Sequence, residues 1–163
     1  MNSVFLSLGS NRGNRQEYLQ TALSFLEKRG GKVLKASHIY ETQPWKMTDD
    51  TNFLNQVIWL ETNLDASQMM ELIIETETSM GRIRAKSGYE PRTIDIDILF
   101  FNEDILNSPS LTIPHPLIAQ RRFILEPLSE LAPDYIHPLL KKTIKQLLSD
   151  CPDSHSISKF ASK

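Results

Sequence analysis

Three features of the chain predict an α+β fold, an antiparallel sheet carrying its helices on one face. Apolar residues alternate along Phe53–Thr62 and again along Ile94–Phe100, as in half-buried strands. Helical apolar stripes begin after Asn14 and after Asp65. The segments follow in the order strand–helix–strand–strand–helix–strand with short connections, which is the split βαβ or ferredoxin-like βαββαβ core. What lies beyond that core is a C-terminal extension. The 163 residues are expected as one domain, residues 1–163, with a polar, frayed tail from about residue 152.

Composition narrows the function classes. Apolar residues make up 40% and charged residues 23%, as in ordinary globular proteins. A net charge of −2 argues against nonspecific nucleic-acid binding as the main task. The single cysteine, Cys151, precludes an internal disulfide and suits a reducing compartment. No apolar run approaches the ~20 residues that span a bilayer, and Met1–Phe5 has no secretory pattern. The expectation is a cytoplasmic protein with no membrane partner.

In chain order, Val4–Leu8 is a short apolar strand that ends at the turn Gly9-Ser10-Asn11-Arg12-Gly13-Asn14. Neither phosphate-loop spacing of glycines is present there. Asn14 caps a helix that turns Tyr18, Leu19, Ala22, Leu23 and Leu26 to one side and ends at Gly30-Gly31. Val33–Thr42 is expected as one strand. The loop Gln43–Thr51 is polar apart from Trp45 and Met47, and Trp45 either covers a flat ligand or anchors the loop. Phe53–Thr62 puts Phe53, Asn55, Val57 and Trp59 on one face and Leu54, Gln56, Ile58 and Leu60 on the other. Asp65-Ala66-Ser67-Gln68 opens the second helix in the manner of a capping box. Met69, Leu72, Ile73 and Met80 form its apolar face, while Glu71, Glu75 and Glu77 are expected as a solvated acidic face.

The most informative stretch is Pro91–Phe101. Ile94, Ile96, Ile98 and Phe100 alternate with Asp95 and Asp97, so the two carboxylates share a strand face opposite the isoleucines. At about 6 Å they would repel by roughly 3 kcal/mol at an effective dielectric of 20. A divalent cation, a shared proton or open water relieves that, so a pair of Mg²⁺ ligands and a solvated strand face are both readings of the pattern. The preceding loop, Arg82–Arg92, carries Arg82, Arg84, Lys86 and Arg92. Carboxylates that hold metal beside guanidinium groups that match phosphate charge are what a nucleoside triphosphate site requires. Further on, prolines 114 and 116 flank His115, Arg121-Arg122-Phe123 leads into an apolar run, and Thr143–Leu148 is a short helix.

Together these segments resemble the 6-hydroxymethyl-7,8-dihydropterin pyrophosphokinases of folate biosynthesis. The resemblance rests on Gly9-Ser10-Asn11, Tyr40-Glu41-Thr42, Phe53-Leu54-Asn55, Gly81-Arg82-Ile83-Arg84, Pro91–Asp97, Pro114-His115-Pro116 and Arg121-Arg122-Phe123, in that order. It implies a monomeric enzyme that moves the β,γ-diphosphoryl group of ATP to the pterin hydroxymethyl oxygen and releases AMP. Asp95 and Asp97 would hold two Mg²⁺ ions, and Arg82 and Arg92 would stabilise charge at the phosphates. Arg84, Thr112, His115 and Arg121 match positions near ATP, with Met70, Ile74, Glu77 and Ile98 near its nucleoside. Phe53 and Phe123 would sandwich the pterin ring, Thr42 and Asn55 would read its edge, and Trp45 would extend the cover. The chain departs from the family pattern at Gly88, where a basic residue is common, at Ser110, where some members have one, and at Tyr89-Glu90, where many members have Trp-Gly. The alternatives are a nucleic-acid-binding module on the same kind of sheet and an inactive relative kept for binding.

Overall fold

The computed structural model describes residues 1–42, 52–81 and 94–160. Its elements are β1 (Asn2–Ser10), α1 (Arg15–Gly30), β2 (Lys32–Ala36), β3 (Tyr40–Thr42), β4 (Phe53–Thr62), α2 (Ala66–Ser79), β5 (Asp95–Phe101), β6 (Leu106–Ser108), β7 (Leu111–Ile113), a 3-10 turn (Ile118–Gln120), α3 (Arg122–Leu131), α4 (Ile144–Asp150) and β8 (Ile157–Lys159). The sheet runs β5-β1-β4-β3-β8, with β2 also paired to β4 and every pair antiparallel. Taking β2 and β3 as one interrupted strand, this is the expected ferredoxin-like order.

Helices α1 and α2 cover one face. Leu19, Leu26, Met69 and Ile73 pack there on Leu6, Leu8, Ile58, Leu60, Ile96 and Ile98. Both helices start where their caps predict. Asn14 Oδ1 accepts from Glu17 N at 3.2 Å, and Asp65 and Gln68 form a reciprocal capping box. After α1 the chain needs Gly31: φ is 150°, and a Cβ there would lie 2.0 Å from the Glu61 carbonyl oxygen.

Four features depart from the sequence expectations. The strand expected over Val33–Thr42 is two strands. Buried Ser37 interrupts it, its Oγ accepting from Val57 N at 3.0 Å and donating to His38 O at 2.7 Å. In β5 the alternation slips once: Leu6 faces Ile98 and Phe5 faces Phe100, which leaves Leu99 as an extra residue. Phe100 therefore joins the opposite face and Phe101 takes the place on the isoleucine side.

The third departure is α3, which covers one end of the second sheet face together with α4. Ile124, Leu125, Leu128 and Leu131 fall at helical spacing and pack with Phe5, Val57, Leu99 and Phe100. Pro127 lies inside this helix and cannot donate to Phe123 O, a breaker signal that tertiary burial overrides. The fourth is the tail. Rather than fraying at residue 152, the chain buries Asp153, adds β8 to the free edge of β3 and bonds Phe160 N to Ile39 O at 2.7 Å.

Candidate active site

The second sheet face is apolar at the end under α3 and α4 and polar at the other. Asp95 stands opposite Gly9 and Asp97 opposite Ser7, while Gly9 and Tyr40 both stand opposite Asn55. One row thus crosses four strands: Asp95, Gly9, Asn55, Tyr40. The aspartates are half-exposed, whereas Ser7, Thr42 and Asn55 are buried. Asn55 Nδ2 donates to Thr42 Oγ1 at 3.0 Å, which fixes the orientation of the pair expected to read a ring edge. Gly9 makes room for it, since a Cβ there would lie 3.0 Å from Asn55 Oδ1. Phe53, opposite Thr42 at the end of the β3–β4 ladder, is half-exposed.

Beyond the free edge of β5 lies the segment that carries His115 and Arg121. His115 N donates to Leu99 O at 3.0 Å, which ties this segment to the strand. His115 Nδ1 accepts from Leu117 N at 3.1 Å, so in the neutral ring the proton sits on Nε2. Burial and the Arg121 guanidinium push the His115 pKa down, and the Asp95 charge acts against them. The Asp95 and Arg121 charges are thus both close enough for their fields to reach this imidazole. The Arg121 guanidinium also lies 5.5 Å from the centre of the Phe123 ring, so cation and aromatic face form one unit at the start of α3.

Glu77 was expected on a solvated face and is instead buried, 5% exposed. Its Oε2 accepts from Ile96 N at 2.9 Å, between the two aspartates. Antiparallel strands direct alternate backbone groups to either side. Because the Ile96 N–H goes to α2, Asp95 and Asp97 turn theirs toward β1. The sequence held one sign of this: Glu77 is four residues after Ile73, in the apolar stripe rather than beside it.

The other residues expected near ATP and its nucleoside differ in burial. Met70 packs at the margin of the helix-face core, Ile74 is exposed, and Thr112 is exposed opposite Asn107 in the β6–β7 hairpin. Ile98 buries its side chain, so only its backbone, on the outer edge of β5, could meet a ligand. Trp45, Arg82, Arg84 and Arg92 lie outside the described residues.

As a cation site the polar end fits a hard divalent ion. Asp95 and Asp97 supply carboxylate oxygens on one face. Among the described residues no group of three or more His, Cys, Asp or Glu could enclose a metal. Two protein carboxylates with most coordination positions left to water and substrate phosphates is the Mg²⁺ pattern rather than that of a structural metal. No helix among the described residues is long and apolar enough to cross a membrane.

Comparison with known proteins agrees with this geometry. Residues 5–133 match the family model of 7,8-dihydro-6-hydroxymethylpterin-pyrophosphokinase (HPPK). The chain is 41% identical over 138 residues to the 2-amino-4-hydroxy-6-hydroxymethyldihydropteridine pyrophosphokinase of Porphyromonas gingivalis, covering 83% of this chain and 93% of that protein. It is 39% identical over 151 residues to the folic acid synthesis protein fol1 of Schizosaccharomyces pombe, covering 91% of this chain and only 20% of the longer fungal protein. Among solved structures, wild-type Plasmodium falciparum HPPK-DHPS with pteroate superposes with a TM-score of 0.75 at 21% identity, over 91% of this chain and 42% of that one. That likeness extends to the fold, and the sequence matches carry the assignment: the chain belongs to the 7,8-dihydro-6-hydroxymethylpterin-pyrophosphokinase family of folate synthesis.

Proposed function

We propose that this chain transfers the β,γ-diphosphoryl group of ATP to the hydroxymethyl oxygen of 6-hydroxymethyl-7,8-dihydropterin. The observation that carries the reading is the placing of Asp95 and Asp97 at the polar end of a sheet face that also holds the Asn55–Thr42 pair, with His115 tied to the same strand through Leu99 O. In the reaction the pterin oxygen forms a bond to the β-phosphorus, the bond from that phosphorus to the α,β-bridging oxygen breaks, and AMP departs. The hydroxyl proton passes to solvent.

Asp95 and Asp97 would hold two Mg²⁺ ions bound with ATP, which would draw charge from the phosphate oxygens and acidify the attacking hydroxyl. The protein's own part is positioning and electrostatics, the main contributions in phosphoryl-type transfer. Arg121 and the Nε2–H of neutral His115 are donors suited to phosphate oxygens, with Arg82, Arg84 and Arg92 expected to add charge from the basic loop. The edge of β5 at Ile98, with Met70, Ile74 and Glu77 of α2, would receive the nucleoside, and Thr112 would add a hydroxyl near ATP. Asn55 and Thr42 offer an amide and a hydroxyl to the pterin edge, and Phe53 and Phe123, extended by Trp45, would cover its faces. We place the enzyme in the cytoplasm as a monomer. A nucleic-acid-binding module would want cations where this face carries carboxylates.

Incubating the purified chain with ATP, Mg²⁺ and the reduced hydroxymethylpterin should give AMP. Formation of ADP, or no turnover, would overturn the assignment.

A further inference from the structure

On the helix side of the sheet, away from the aspartates, Arg15 joins two segments distant in sequence. Its Nη1 donates to Glu41 Oε2 at 3.0 Å and to the Asn52 carbonyl oxygen at 2.7 Å. Its guanidinium carbon lies 5.9 Å from the centre of the Phe160 ring. Glu41 immediately precedes Thr42 and Asn52 immediately precedes Phe53, and Thr42 and Phe53 are the last facing pair of the β3–β4 ladder. One nitrogen at the first residue of α1 therefore pins both strands where residues 43–51 leave and rejoin the sheet.

Ladder ends are where strands open most readily. This end carries Thr42, whose Oγ1 receives Asn55 Nδ2, and Phe53. The guanidinium is largely shielded, with 23% of the side chain exposed, and its partner Glu41 has 32% exposed. It lies on the other side of the sheet from any bound substrate, and two strands, β1 and β4, separate β3 from β5 and its aspartates.

We infer that Arg15 is a positioning residue for the pterin half of the site: by clamping Glu41 to Asn52 it holds Thr42 and Phe53 in register, and it leaves the ATP half untouched. The inference rests on the pterin reading of that site. A residue that merely supported the fold would lower the active fraction and affect both substrates together.

The test uses the full chain and its R15A, R15K, E41A and R15A/E41A variants. Loss of a partly shielded charge-assisted bond predicts that R15A raises the pterin KM about five- to tenfold, with the ATP KM unchanged within about twofold. R15K should recover most of the loss. The double variant should be no worse than R15A, because R15A already breaks the contact that E41A removes. Amide hydrogen exchange at Thr42, Phe53 and Leu54 should quicken in R15A without any ligand. An unchanged pterin KM, an equal rise in both KM values, or unchanged exchange at those amides would overturn the inference. If the wild-type chain forms no AMP, the functional reading fails instead, and the exchange comparison still decides whether the clamp exists.

Discussion

Removing the Glu77 carboxylate should affect both stability and metal response, because it is buried between helix and strand and grips the backbone between the two aspartates proposed to hold metal. In E77A the Ile96 N–H loses an acceptor at 2.9 Å in a setting where the side chain is only 5% exposed. A hydrogen bond to a charged group contributes about 1.5–3 kcal/mol, and a buried donor left unpaired costs about 1–3 kcal/mol. These describe overlapping parts of one loss, so E77A is expected to lower unfolding stability by about 2–3 kcal/mol. For a chain of this size that is a fall in thermal midpoint of roughly 4–12 °C. E77Q retains an acceptor oxygen and should lose under about 1 kcal/mol. Freed backbone at Ile96 also loosens Asp95 and Asp97, so E77A should need several-fold more Mg²⁺ for half-maximal rate. The assays are thermal unfolding by circular dichroism and initial rate against Mg²⁺ concentration. An E77A protein that melts within about 1 °C of wild type with an unaltered Mg²⁺ curve would refute the reasoning.

The other predictions test separate parts of the site and fold. D97A should reduce AMP formation by at least about a thousandfold with its far-ultraviolet spectrum unchanged, since it removes half of the carboxylate pair; retained activity would end the metal role of that residue. G9A places a methyl 3.0 Å from Asn55 Oδ1, so it should raise the pterin KM more than the ATP KM, and equal effects on both would count against the Asn55 assignment. His137 Nδ1 accepts from Leu139 N and Leu140 N at 3.2 and 3.1 Å, and burial holds its pKa below the usual histidine value. The folded state thus takes up this proton less readily than the unfolded chain. Its stabilising effect is complete above about pH 6.5 and declines as the pH falls toward the lowered pKa. Melting curves from pH 7.5 to pH 5 should therefore show a shallower decline for H137N than for wild type, and identical slopes would remove His137 as a cause.

Much of the site could be read from local pattern. Asp95 and Asp97 share a face because strands alternate, and Phe53 and Asn55 share one for the same reason; pairing then brings the two sets to the same side of the sheet. The helix starts were legible because Asn14 and Asp65 carry out their capping within three residues. What failed to show in the sequence is non-local in each case. The bulge at Leu99 depends on the partner strand, the continuity of α3 through Pro127 depends on the apolar face it covers, and the order in the tail depends on the edge that β3 leaves for β8.

The sequence by itself determined which residues are chemically able to act: two alternating carboxylates, a basic loop, a histidine between prolines, and aromatics beside amide and hydroxyl groups. Only the tertiary structure decided how they are held. It put Glu77 under the backbone between the aspartates, tied His115 to β5 through Leu99 O, and ran Arg15 across the ends of β3 and β4. Periodicity reports which way a side chain points along its own element, over a few residues. Which backbone group or charge waits there depends on chain segments up to tens of residues away, and packing alone brings those together.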